Sequence, residues 1–273
     1  MSMGERVWKG KRVLITGASS GIGAATALRL AREGLRTILV ARRRDRLEDI
    51  AEEIRVHGGE VDILPADLRS EGQRQELLEE LERPEGGGKI DALINSAGFG
   101  WYGYGADMPW DLARQMVQVN VSSAVQLTLG LLGRMRERGE GHVIHVGSIA
   151  GSIPSQGVAL YAATKAFVDA FATGLYRELR GTRVHVSVVR PGPVSTGFFQ
   201  TASRLSGGRL LPTSRWGIPP QVVAERIWKL LQHPRRVVYV PASLRIIPWV
   251  ELTLGWLMDR LGPLGLEGKV DLG

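Results

Sequence analysis

Residues 12–23 read Arg12-Val-Leu-Ile-Thr16-Gly17-Ala18-Ser19-Ser20-Gly21-Ile22-Gly23. Val13, Ile15 and Thr16 are β-branched and Leu14 is apolar, the pattern of a short buried strand. Small residues follow, and Ala24–Glu33 then carries a helical pattern. Small side chains let the backbone approach a pyrophosphate, and the positive end of a helix favours its charge. A bare glycine pattern is a weak signal, because any tight turn can carry glycines. Set between a strand and a helix, it predicts a nucleotide cradle made by Gly17, Ser19, Ser20, Gly21, Ile22 and Gly23.

The alternation continues outward from this point. Thr37–Ala41, Glu60–Pro65, Ile90–Ile94, His142–Gly147, Val184–Arg190 and Arg236–Val240 read as strands. Arg46–His57, Glu71–Glu82, Leu112–Arg138, Leu160–Arg180 and Gln221–Gln232 read as helices. This order predicts an α/β fold, a single doubly wound parallel sheet of about seven strands with helices on both faces. No internal repeat and no second domain is expected. Residues from Gly192 to about Pro220 lack periodicity and are rich in Gly, Ser and Pro. They predict an excursion near the site over about 195–220.

The end of the second strand discriminates between cofactors. A carboxylate there would accept hydrogen bonds from an adenine-side ribose. The chain instead reads Ala41-Arg42-Arg43-Arg44. Guanidiniums attract a 2′-phosphate, so Arg42 and Arg43 favour NADP(H) over NAD(H).

A second informative stretch runs Ser148-Ile-Ala-Gly-Ser-Ile-Pro-Ser-Gln-Gly-Val-Ala-Leu-Tyr161-Ala-Ala-Thr-Lys165. Tyrosine has an ordinary pKa of about 10, and a nearby ammonium lowers it. On a helix, positions i and i+4 share one face, so Lys165 is expected beside Tyr161. Ser148, arriving from another element, can hydrogen-bond the same substrate oxygen. The three make a proton-transfer device. Alone, Tyr-x-x-x-Lys recurs by chance; its neighbours decide.

Bulk properties narrow the classes. In 273 residues, 44% are hydrophobic and 23% charged, enough for a sizeable soluble core. There is no cysteine, which excludes disulfides and thiolate chemistry. His142 and His145 lie in what reads as a buried strand, and no metal site is expected. The net charge of +7 comes mostly from scattered arginines, without a basic stripe interleaved with aromatics, so no nucleic-acid partner is expected. The N-terminus has no apolar h-region, and no run of about 20 apolar residues occurs. A cytoplasmic protein is expected.

With Thr16–Gly23, Asn95-Ser-Ala-Gly98, Asn120, Ser148, Tyr161, Lys165 and Pro191-Gly192 in order, the chain resembles a short-chain dehydrogenase/reductase over about residues 10–240. The resemblance implies a Rossmann-type catalytic domain over 1–245, with 246–273 as an apolar extension. It implies a glycine-rich loop at Gly17, Gly21 and Gly23, with Ser19 near the adenosine phosphate. Asp67, followed by Leu68, is implied to contact the adenine, and Asn95, Ala97 and Gly98 to follow the fourth strand. Ser96 stands where a second asparagine is usual. Pro191, Gly192, Val194 and Thr196 are implied to pass the nicotinamide, Val194 bonding its amide through the backbone. The implied chemistry is hydride transfer between nicotinamide C4 and a carbonyl carbon. Ser148 would polarise the carbonyl and Tyr161 donate the proton. Lys165 would lower the phenol's pKa and bond the ribose, and Asn120 would hold a water joining Lys165 to solvent.

The substrate pocket is expected from Phe99–Tyr104, Ile149–Gly157 and the excursion Gly197–Trp216. Trp101, Tyr102, Phe198, Phe199 and Trp216 favour an apolar ketone or aldehyde, and Arg204, Arg209 and Arg215 read as a solvated face of the excursion. Trp249, Leu252 and Trp256 share a helical face within 246–261. Packing on the domain or on a sister subunit of a homodimer or homotetramer is expected there, with a membrane surface as the alternative. The leading reading is an NADP(H)-dependent carbonyl reductase or alcohol dehydrogenase; the rivals are a cofactor-sensing binding protein on the same fold and a membrane-surface reductase of lipid ketones.

Overall fold

The computed structural model describes residues 8–83, 88–198 and 217–261. Seven parallel strands form one sheet: β1 (Arg12–Thr16), β2 (Arg36–Ala41), β3 (Val61–Pro65), β4 (Ala92–Asn95), β5 (Gly141–Val146), β6 (Val184–Pro191) and β7 (Val237–Val240). Their order is β3-β2-β1-β4-β5-β6-β7, and Ile15 of β1 sits in register with Leu39 on one side and Ile94 on the other. The order reverses between β1 and β4, which opens a crevice at the carboxyl ends of these strands where α/β sheets bind ligands.

The helices are α1 (Gly21–Arg32), α2 (Arg44–Val56), α3 (Glu71–Glu82), α4 (Trp110–Val117), α5 (Ser123–Glu137), α6 (Ala159–Glu178), α7 (Pro220–Gln232) and α8 (Ile247–Leu261). Alternate strand residues face opposite layers. Val13 and Ile15 pack with Leu30 of α1 and Ile227 and Leu231 of α7. Leu14 points the other way, toward Leu78 of α3, Leu131 of α5 and Leu175 of α6. Both faces of the sheet are therefore covered, as a parallel sheet requires.

Three departures from the sequence reading bear on the site. Helix α1 begins at Gly21, inside the small-residue stretch, so Gly21 to Gly23 form its first turn. Strand β4 starts two residues later than expected, at Ala92. The long helix expected over Leu112–Arg138 begins at Trp110 and is widened into one π-type turn at Gln118–Ser122, between α4 and α5. Trp110–Glu137 is long and apolar enough to cross a membrane, but Met116, Leu127, Leu131 and Met135 are buried in the protein interior. Phe199, Arg204, Arg209, Arg215 and Trp216 lie outside the described residues, as does 262–273.

Candidate active site

The cradle is built by close approach. Gly17 and Gly21 have φ of 68° and 58°, the left-handed region that glycine adopts without a Cβ penalty. A Cβ on Gly23 would lie 2.3 Å from the Gly17 carbonyl oxygen, so no other residue fits there. Ser20 precedes α1 but its side chain does not cap the helix, and the first turn holds no acidic residue. The first amides of α1 thus keep their donors for an anion. Arg43 lies across this turn, donating from Nη2 to Ser19 Oγ at 3.0 Å and to Ser20 Oγ at 3.2 Å.

Two of the other expected cofactor residues, Ala97 and Thr196, lie against the cradle. Ala97 backs Gly17, and Ser96 and Ala97 both donate their amides to Thr16 Oγ1 at 3.1 Å. Ser96 thus anchors the end of β4 through its backbone, so the missing second asparagine leaves the strand end tied. Thr196 lies against Gly21, which brings the segment after Pro191 and Gly192 to the cradle, and Val194 forms a parallel bridge to Ile218. Asp67 is engaged by Arg69, whose Nε reaches its two oxygens at 3.0 and 2.9 Å, a bond that holds its carboxyl below the usual range. Arg42 adds only its charge to Asp67. Asn95 turns away, donating to Thr128 Oγ1 at 3.0 Å, and Leu68 is buried in the core.

The proton-transfer group assembles from two elements. Ser148 opens a short turn (Ile149–Gly151) after β5, while Tyr161 and Lys165 stand one turn apart on α6. Ser148 lies beside the Tyr161 hydroxyl and pulls its pKa down. Lys165 Nζ donates to the Val146 carbonyl at 2.9 Å and lies 5.8 Å from the Tyr161 ring centroid. Burial pushes the phenol up to about 12, and burial pushes the lysine down to about 8. Here the Lys165 ammonium is turned to a backbone carbonyl, and the burial of the phenol outweighs the opposing pull of Ser148.

Asn120 sits at the widened turn. Its Oδ1 accepts from Phe99 N at 3.0 Å, and its Nδ2 donates to the Phe99 carbonyl and to Thr164 Oγ1, each at 3.0 Å. Gly98 is wedged between Asn120 Oδ1 and Lys165 Nζ.

Above Tyr161 lies a cleft of about 310 Å³, lined by Trp101, Met108, Trp110, Met116, Leu160 and Tyr161 among others. The loop after Gly98 contributes as expected. The wall made by Met108 and by Trp110 and Met116 of α4 was missed, because Met108 and Trp110 precede the helix expected from Leu112; only their nearness to the Phe99–Tyr104 loop offered a signal. Tyr102 packs on Gly157, and the Phe198 ring lies 5.5 Å from that of Tyr161.

A Rossmann-type sheet with a nucleotide cradle and a buried Ser–Tyr–Lys group defines a nicotinamide-dependent oxidoreductase class. The family model described as short chain dehydrogenase matches residues 11–205, and the chain belongs to that family. It is 33% identical over 232 residues to an NADP-dependent 3-hydroxy acid dehydrogenase of Shigella flexneri, covering 82% of this chain and 90% of that one. Among solved structures, a short-chain dehydrogenase from Sphingobium yanoikuyae in complex with NADPH superposes with a TM-score of 0.78 at 28% identity, over 96% of this chain and 99% of that one. A Burkholderia phymatum short-chain dehydrogenase/reductase in complex with NAD gives 0.79 at 25%, over 91% and 96%. The protein is an oxidoreductase of this family.

Proposed function

We propose that this protein is an NADP(H)-dependent oxidoreductase that interconverts an apolar ketone or aldehyde and its alcohol. The observation that carries the reading is Tyr161 lining an apolar cleft, with Ser148 acting on its hydroxyl and Lys165 buried one turn away. The cofactor, when bound, supplies the hydride. Gly17, Gly21 and Gly23 would admit its pyrophosphate to the start of α1. Arg43 would meet a 2′-phosphate beside Ser19 and Ser20, and Val194 and Thr196 would flank the nicotinamide. The Shigella flexneri relative and the Sphingobium yanoikuyae structure support this preference; the NAD complex from Burkholderia phymatum is the counter-example.

In the reductive direction Ser148 hydrogen-bonds the carbonyl oxygen. Tyr161, kept protonated by burial, gives its proton to that oxygen as negative charge develops. Lys165 steadies the charge left on the phenol, and Asn120 fixes the Phe99 loop beside it. Residues 1–245 form the catalytic domain in this reading, assembled as a homodimer or homotetramer in the cytoplasm. The test is an NADPH-depletion screen over ketones and aldehydes of graded size, with Tyr161→Phe beside the wild type. Loss of about 10²–10⁴-fold is expected; unchanged turnover in the variant sinks the mechanism.

A second reading concerns α8. Trp249, Leu252 and Trp256 are 67%, 77% and 62% exposed on one face, flanked by Arg245 and Arg260. Tryptophans edged by cations suit the interface of an anionic lipid surface, where an apolar substrate would also reside.

A further inference from the structure

Asp169 is a buried carboxylate that the chemistry above leaves unused. It follows Lys165 by one turn of α6 just as Lys165 follows Tyr161, so the three share one helix face. Its Oδ2 lies 3.0 Å from Arg190 Nε in an ion contact that lacks the alignment of a hydrogen bond. Arg190 in turn donates from Nη1 to the Tyr239 hydroxyl at 2.6 Å and lies over that ring. Arg190 directly precedes Pro191 and Gly192. On its other side the carboxylate meets the two glycines that bracket Ser148. A Cβ on Gly147 would stand 2.9 Å from Oδ1, and one on Gly151 3.2 Å from Oδ2. Gly151 itself rests on the α6 backbone at Lys165 and Ala166.

One carboxylate thus touches the Ser148 turn and the strand end leading to the nicotinamide segment, from the helix of Tyr161 and Lys165. Its burial is costly. Desolvation pushes Asp169 up to about 6 against the pull of Arg190 and Lys165, and neither oxygen has an aligned donor among the described residues. Lys165 gains from the arrangement: burial lowers it and the charge of Asp169 opposes that fall. The other groups facing this cluster are Tyr161 on α6, His145 from β5, held neutral by burial with a pKa of about 3, and Arg190 and Tyr239 from β6 and β7.

We propose that Asp169 is a positioning residue for this site: through Arg190, Gly147 and Gly151 it seats the Ser148 turn and the Pro191 strand end against α6, and its carboxylate acts on Lys165 one helical turn away. The proposal rests on the reading of Ser148, Tyr161 and Lys165 as the reacting group, but its test does not need turnover. The chain has six lysines, Lys9, Lys11, Lys89, Lys165, Lys229 and Lys269, so the Cε resonances of isotope-labelled lysine can be followed one by one against pH. In Asp169→Asn the Lys165 midpoint is expected about one pH unit below that of the wild type. With a reducible ketone, the alkaline limb of kcat/KM should move down with it, whereas a merely structural loss would depress the rate evenly at every pH. A folded Asp169→Asn in which Lys165 titrates as in the wild type overturns the proposal. Should that variant not fold, the wild type carries the test: its Lys165 resonance has to show a second inflection, on the acid side of its own, as Asp169 titrates, and a single inflection overturns it. Absence of turnover on every carbonyl would sink the functional reading instead, leaving the lysine titration readable.

Discussion

Asn120 holds Phe99 by both backbone groups, accepting from its amide and donating to its carbonyl at 3.0 Å each. A regular helix would aim position 120 differently; the wide turn at Gln118–Ser122 swings the amide inward. The third bond, to Thr164, joins the loop over the cleft to the residue before Lys165. Asn120→Asp keeps the acceptor and loses both donated bonds. A folded protein melting lower, by a free-energy cost of about 1–3 kcal/mol, with reduced kcat at unchanged NADPH affinity is expected. Thermal melts and cofactor titration check it; an unaltered melt would show that the clamp carries no weight.

Arg43→Ala separates the two cofactors. Removing a charge-assisted phosphate contact is worth about 1.5–3 kcal/mol, so KM for NADPH should rise by about tenfold or more while KM for NADH stays put. Parallel changes in the two constants would mean that Arg43 serves the Ser19–Ser20 turn and no phosphate.

Acid should destabilise the fold through β5. His142 and His145 are both fully buried, and burial lowers each to about 3. Their folded pKa values lie below the unfolded value of about 6.5. The folded state therefore binds fewer protons than the unfolded one between pH 6.5 and 3, and stability falls as pH falls through that window. Each histidine contributes a slope of about 1.4 kcal/mol per pH unit there. Urea midpoints at pH 7.5 and pH 5 measure it, and His145→Gln should shrink the difference; an equal drop in the variant would contradict the assignment.

For α8 the measurement is sedimentation with vesicles. The full chain should pellet with phosphatidylcholine vesicles containing phosphatidylglycerol, less so at high salt. Truncation before Pro248 or replacement of Trp249, Leu252 and Trp256 by serine should leave it in the supernatant. If the wild type stays soluble with vesicles and the serine variant halves its mass in solution, the face belongs to a sister subunit.

The parts of the fold written in local chemistry were legible. The unbroken apolar, β-branched run of β1 and the small residues of Gly17–Gly23 dictated a strand, a cradle and a helix whatever the rest of the chain did. Spacing on one helix was equally readable, as with Tyr161 and Lys165. What escaped the sequence depended on distant burial. Nothing local says that Lys165 finds the Val146 carbonyl, that desolvation outweighs Ser148 at Tyr161, or that Asp169 meets Arg190 across 21 positions. The Met108–Met116 wall was likewise hidden, since an apolar helix face looks the same whether it fills a core or lines a cleft.

The seating of Gly151 on the α6 backbone has a further consequence for rate. Ser148 and Tyr161 arrive from separate segments, yet this contact ties the Ser148 turn to the helix of Tyr161 within the fold itself. The translational and rotational entropy of aligning the two hydroxyls is already spent in the free enzyme. Turnover on a well-fitting substrate should accordingly show an activation entropy near zero, with the barrier almost entirely enthalpic.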